Sequence, residues 1–166
     1  MYYEAFAQFK KTLGQLSTWL DKAEAFAKEK SFDSNVFVSF RLAPDQLPFV
    51  KQVQIACDTA KLGASRLTGK EVPSHADSEQ TLAELRTRVA SVISILDGLS
   101  EKDFEGVSTR TVTQPRWEGK SMSAKDYFFE HVQPNFFFHA THTYAILRHN
   151  GVPLGKKDYL GPLSFR

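Results

Sequence analysis

Imidazoles are the side chains in this sequence best suited to chemistry, and three of the five crowd one stretch: His139, His142 and His149. Two imidazoles at positions i and i+3 of a helix can share a metal ion or a ligand. Asn135 lies one turn before His139. Far upstream, Gln54 and Asp58 stand four apart, which places an amide and a carboxylate on one face of a helix. Together Gln54, Asp58, Asn135, His139 and His142 make the candidate pocket. A buried polar group without a partner costs about 1–3 kcal/mol, so His139 must be paired. Three arrangements satisfy it. His139 bonds Gln54 or Asp58 and only fixes helix register, or the five residues surround a small molecule, or His139, His142 and Gln54 hold a divalent metal such as zinc or nickel. Zinc at a catalytic site usually takes three firm protein ligands, and Gln is a poor one. On the residues alone the register-fixing pair is the first expectation, a small-molecule pocket the second and a bound metal the last.

Other candidates point to quieter roles. Cys57 falls on an apolar stripe and reads as a buried, inert thiol. As the single cysteine it can form no internal disulfide, which favours a reducing, cytoplasmic setting. His131 and His149 fall near helix ends and read as surface residues, while Arg41 and Asp45 bracket a helix start as a salt bridge and a cap. The sequence has no Gly-rich phosphate loop, no paired-cysteine metal signature and no Gly-x-Ser-x-Gly motif.

The formal charge is only +2 and no run of basic residues appears, which argues against nucleic acid as a partner. Met1-Tyr2-Tyr3-Glu4 lacks the basic start of a secretory signal, and no stretch of about 18 apolar residues suggests a membrane span. At 166 residues, 42% of them hydrophobic and 14 of them Phe, one domain over 1–166 with a substantial core is expected.

Four amphipathic segments must position these residues. The first, about Tyr3 to Lys28, carries Phe6, Phe9, Leu13, Leu16, Leu20, Ala23 and Ala27 at alternating spacings of three and four. Ser31 to Pro44 breaks the pattern, and Val36 to Phe40 reads as a short extended piece. The second helix is expected from Asp45, with Val50, Val53, Cys57, Ala60, Ala64 and Leu67 as its stripe and Gly69 as its stop. The third opens at Ser78, with Thr81 and Glu84 as an alternative capping box, and runs through Leu82, Leu85, Val89, Val92, Leu96 and Leu99. Residues 100–122 form a long connection with a helical turn at Lys102–Glu105 and a small hairpin near Thr109–Thr113. The fourth starts at Ser123, with Asp126 as capping partner, and should kink at Pro134. Its stripe passes through Phe128, Val132, Asn135, His139, His142, Ile146 and His149. Phe136, Phe137, Phe138, Tyr144 and Leu147 make the rest of this helix apolar, which suggests a second subunit beside it. The tail after Val152 reads as irregular. Four stripes facing one axis give an all-α four-helix bundle with long aromatic-rich connections.

Two stretches also resemble a known family. One is Arg41-Leu42-Ala43-Pro44-Asp45, continuing through Pro48 to Gln52-Val53-Gln54-Ile55-Ala56-Cys57-Asp58. The other is Pro134-Asn135-Phe136-Phe137-Phe138-His139, followed by Tyr144 to Val152 and the tail Gly155 to Gly161. Together they resemble a bacterial branch of the DinB/YfiT-like superfamily known only as a domain of unknown function. The resemblance implies a four-helix bundle, often dimeric, and metal-dependent transferase or hydrolase chemistry of the thiol-transfer kind. It also implies a site built from one His of helix two and a His-x-x-x-His pair on the last helix. The counterparts here are Gln54, His139 and Thr143, so one imidazole of three is kept. The functions carried forward are a small-molecule pocket around His139 with a degenerate metal site, a divalent-metal transferase or hydrolase, and a structural homodimer.

Overall fold

The structure, a computed structural model, describes residues 1–165. Helix α1 (Tyr2–Glu29) buries the whole predicted stripe from Phe6 to Ala27 and adds Trp19. Helix α2 (Phe49–Thr68) is capped three residues later than the expected cap, Asp45. Pro48 is its N-cap, with φ −69° and ψ 165°, and the residue before a proline is steered away from helical geometry. Gly69 ends the helix at φ 78°, a left-handed conformation that glycine adopts without penalty. Helix α3 (Leu82–Asp97) opens at the alternative cap. Thr81 Oγ1 accepts from the Glu84 amide at 3.1 Å, and Glu84 Oε2 accepts from the Thr81 amide at 3.0 Å.

The last helical stretch has three parts in unbroken succession. Ser123 caps a short turn, Ala124–Asp126, through its hydroxyl and the Asp126 amide. A π-helical turn, Tyr127–Val132, follows, and then helix α4 (Gln133–His149). Pro134, which lacks a donor, sits where the hydrogen-bond pattern changes from i+5 to i+4. Phe128, Val132, His139 and Ile146 of the predicted stripe are buried, whereas His149 is exposed and His142 lies partly open.

Three connections differ from expectation. Residues 36–40 are not extended: Ser34–Ser39 is a 3-10 turn capped by Asp33, and it buries Phe37. Four apolar residues cannot make a strand without a pairing partner, and none lies alongside. The tail is not wholly irregular, because α5 (Lys156–Leu160) docks on α1. Trp19 there stacks on Tyr159 at 5.7 Å and donates from Nε1 to the Asp158 carbonyl at 3.0 Å. The hairpin exists but is wider than its first strand suggested. Strands β1 (Thr111–Thr113) and β2 (Ser121–Ser123) pair antiparallel with Val112 opposite Met122, and the 3-10 turn Pro115–Trp117 lies between them. The expected turn near Lys102 is the 3-10 piece Glu101–Phe104.

The four long helices form the bundle, with α2 against α3 and α4, and α1 against the same two. Phe9 and Phe136 stack at 4.2 Å in its middle. Helix α2 comes close to the last helical stretch through Gly63, where a Cβ would meet Val132 Cγ1 at 2.7 Å. Phe129 and Phe138 of that stretch remain 43% and 53% exposed. Among the described residues no helix is long and apolar enough to cross a membrane.

Candidate functional site

Helix α2 carries two polar faces. Residues 52, 59, 63 and 66 step by seven, four and three and so share one face, which looks at the last helical stretch. Their partners there run in the opposite direction. Gln52 Oε1 lies 2.7 Å from His139 Nδ1, Asn135 Nδ2 donates to Thr59 Oγ1 at 2.7 Å, Gly63 abuts Val132, and Arg66 Nη1 donates to Tyr127 Oη at 2.9 Å.

His139 is buried, as its stripe position predicts, but its partner is Gln52 rather than Gln54 or Asp58. Gln52 donates from Nε2 to the Leu47 carbonyl at 2.9 Å, so its Oε1 is the atom presented to the ring. The proton of His139 therefore sits on Nδ1 and the lone pair on Nε2. Burial, helped by the nearby charge of His142, pushes His139 down to about 4, and the ring is neutral at ordinary pH.

Gln54 and Asp58 belong to the other polar face, turned toward α3 and the 69–81 loop. Gln54 Nε2 donates to Glu79 Oε2 at 2.7 Å. Arg88, whose side chain is 1% exposed, gathers Glu79 at 2.9 Å, Asp58 at 2.9 Å and Asp77 at 3.1 Å. Buried Lys61 adds Asp58 Oδ1 at 3.2 Å and donates to His75 Nδ1 at 2.8 Å. His75 in turn donates from Nε2 to Ser91 Oγ at 3.0 Å. This network explains why a loop of thirteen positions holds one path: its carboxylates and imidazole satisfy buried cations that would otherwise be unpaired. His142 faces away from both systems. Its Nδ1 donates to the Phe138 carbonyl at 2.7 Å, and its ring packs on Phe138 at 4.1 Å.

The structure thus does not bring the five predicted residues into one pocket. It brings two of them, Asp58 and Asn135, to the wall of a cavity of about 360 Å³ beside the α2 face that meets Tyr127. Ile55, Leu62 and Pro115 supply apolar wall, and Thr59, Arg66, Gln114, Arg116, Tyr127 and His131 supply polar groups. The hairpin turn supplies one wall through Gln114, Pro115 and Arg116, and Trp117 anchors it by packing edge-on against Tyr127 at 5.9 Å and against His131 at 6.3 Å. Arg116 Nη2 donates to His131 Nε2 at 3.0 Å, so His131 carries its proton on Nδ1. Burial, then the charges of Arg116 and Arg66, holds His131 below its ordinary value. Burial raises the Tyr127 phenol against the opposing pull of Arg66, so it keeps its proton. His131 therefore lines a cavity and is no surface bystander. Its four-residue spacing from Tyr127 and Asn135 was the available signal. Nothing local in the sequence marks Arg66, Gln114 or Arg116, which only the fold brings together.

A metal centre of the family kind does not fit these residues. Gln54 lies on the face turned toward Glu79, to which its Nε2 donates, and not on the face that meets His139, and Thr143 Oγ1 donates to the His139 carbonyl at 2.9 Å. His139 and His142 bond in different directions. Among the described residues no group of three or more His, Cys, Asp or Glu is placed to hold a metal ion. Cys57 is buried and its thiol is pushed up to about 12 by burial, which leaves it protonated and unreactive.

Comparison with known proteins agrees with this architecture. The sequence profile of a family described as "Domain of unknown function (DUF1993)" matches residues 1–160. A crystal structure of a DinB family member from Shewanella denitrificans is 51% identical, with a TM-score of 0.96, and the match covers 100% of this chain and 95% of that one. No curated protein matches.

Proposed function

The chain belongs to the DUF1993 family of DinB-like four-helix bundles, and from that premise we propose that it binds a small molecule in the cavity between α2, the π turn and the hairpin. The carrying observation is the cavity itself. Its volume of about 360 Å³ falls at the lower end of small-molecule sites, which run from about 300 to 1,000 Å³. Its wall combines an apolar surface with a few convergent polar groups, the usual division between affinity and orientation. The pocket expected around His139 is displaced by about one helical turn, to Asn135 and beyond. The Gln52–His139 pair lies at the end of the same interhelical seam, where it fixes how α2 and α4 meet.

A diverse fragment set read by amide NMR tests the reading. Binding compounds should shift the resonances of Thr59, Tyr127 and Asn135, and Leu62→Trp, which fills the cavity, should abolish those shifts. Ligands that map elsewhere, or that bind Leu62→Trp unchanged, would remove the proposal.

A further inference from the structure

Among the described residues, Arg86 and Arg88 are paired with carboxylates, whereas Arg41, Arg66, Arg110, Arg116 and Arg148 are not. Arg86 is paired with Asp21 at 2.9 Å and Glu24 at 3.0 Å, and Arg88 with three carboxylates. Arg66 and Arg116 both line the cavity, and among the described residues neither forms an ion pair with a carboxylate. Each spends a donor on a neutral acceptor, Tyr127 Oη or His131 Nε2. A guanidinium has five N–H donors and is always charged, so both keep donors to give.

The acid in the same wall does not neutralise them. Asp58 Oδ1 lies 2.9 Å from Arg88 Nη2 and 3.2 Å from Lys61 Nζ, two cations that offset its charge. The other polar groups add donors. Thr59 Oγ1 accepts from Asn135, and Tyr127 Oη accepts from Arg66, so each hydroxyl proton is available. Gln114 lines the cavity, is only 6% exposed, and its Nε2 has no partner. A buried amide donor left unpaired is costly, and an acceptor brought by a ligand would satisfy it.

Resting on the cavity reading above, we propose that the natural ligand is a small molecule with an oxyanion head, a carboxylate or a phosphate monoester, held by Arg66 and Arg116, with an apolar body against Ile55 and Leu62. Planar guanidinium forks match the oxygen pairs of both head groups. The ligand is one small molecule and not a polyanion, because the two cations line a single cavity of about 360 Å³ and the chain has a formal charge of only +2.

Calorimetry at low ionic strength with three probes on the full chain tests this: phenyl phosphate, benzoate and the uncharged benzyl alcohol. One or both anions should bind at least tenfold more tightly than benzyl alcohol, and whichever wins identifies the head group. Arg116→Gln, at an exposed position where the fold should tolerate it, should weaken the anion about tenfold while leaving benzyl alcohol unchanged. Arg66→Lys keeps the charge but loses the fork, and should also weaken it. Should benzyl alcohol bind as well as the anions, and Leu62→Trp abolish all three, the cavity stands and the oxyanion falls. Anion binding that ignores Arg116→Gln overturns the assignment, and absence of all binding overturns both readings.

Discussion

Replacing His139 by Leu separates two contributions that act in opposite directions on stability. At neutral pH the substitution removes the donor that satisfies Gln52 Oε1 and leaves a buried acceptor unpaired. That costs about 1–3 kcal/mol. The wild-type imidazole, however, carries its own liability. Its folded-state value is about 4 against 6.5 in the unfolded chain, so between those limits the unfolded state binds the extra proton. Stability from this group is full above pH 6.5 and falls as the pH drops toward 4. A displacement of this size sets an upper limit of about 3 kcal/mol across that window, reduced by whatever solvent screens the ring. Urea unfolding at pH 7 and at pH 4 should therefore give a crossover. The variant is less stable at pH 7, and the gap closes or reverses at pH 4. Imidazole NMR should show the wild-type ring neutral down to about pH 4, with the proton on Nδ1. A gap that is the same at both pH values, or a ring that titrates near 6.5, would refute the placement of His139 against Gln52.

Two further substitutions probe the frame around the cavity. Arg88→Met should destabilise by about 3 kcal/mol in urea unfolding, since it strands Glu79, 11% exposed, while Asp58 keeps Lys61 and Asp77 keeps Lys51. Burial raises the Glu79 carboxyl, but Arg88, its own backbone amide and Gln54 outweigh that and hold it below its ordinary value. The stability it lends above about pH 4 should therefore shrink in the variant, and a loss under 1 kcal/mol would show the network to be ornamental. Gly63→Val should cost about 1–3 kcal/mol, because a Cβ already meets Val132 at 2.7 Å, and a melting temperature equal to wild type would mean that the two helices sit farther apart.

The four helices were legible because their apolar positions recur at helical spacing, and Gly69 and the Thr81–Glu84 box mark ends by local chemistry alone. The start of α2 was missed because Asp45 looked like a cap, whereas the geometry of Pro48 decides it. The partner of His139 was missed for a different reason. Gln52, Val53, Gln54, Ala56 and Cys57 are all buried, so α2 is covered on nearly every side and periodicity cannot say which amide looks at α4. Gln52 and Gln54 differ by about 200° of rotation, enough to exchange one neighbouring helix for another. The cavity was illegible because Arg66 and Arg116 are fifty residues apart and meet only when the hairpin folds over Tyr127.

The π turn has a consequence for reading related sequences. From Tyr127 to Val132 the coil is wider than the α-helix that continues it, so a wheel drawn at constant pitch from Ala124 to His149 slips by about one position, or some 100°, along the way. Motif spacings that straddle this point therefore translate between family members only when both chains make the same wide turn.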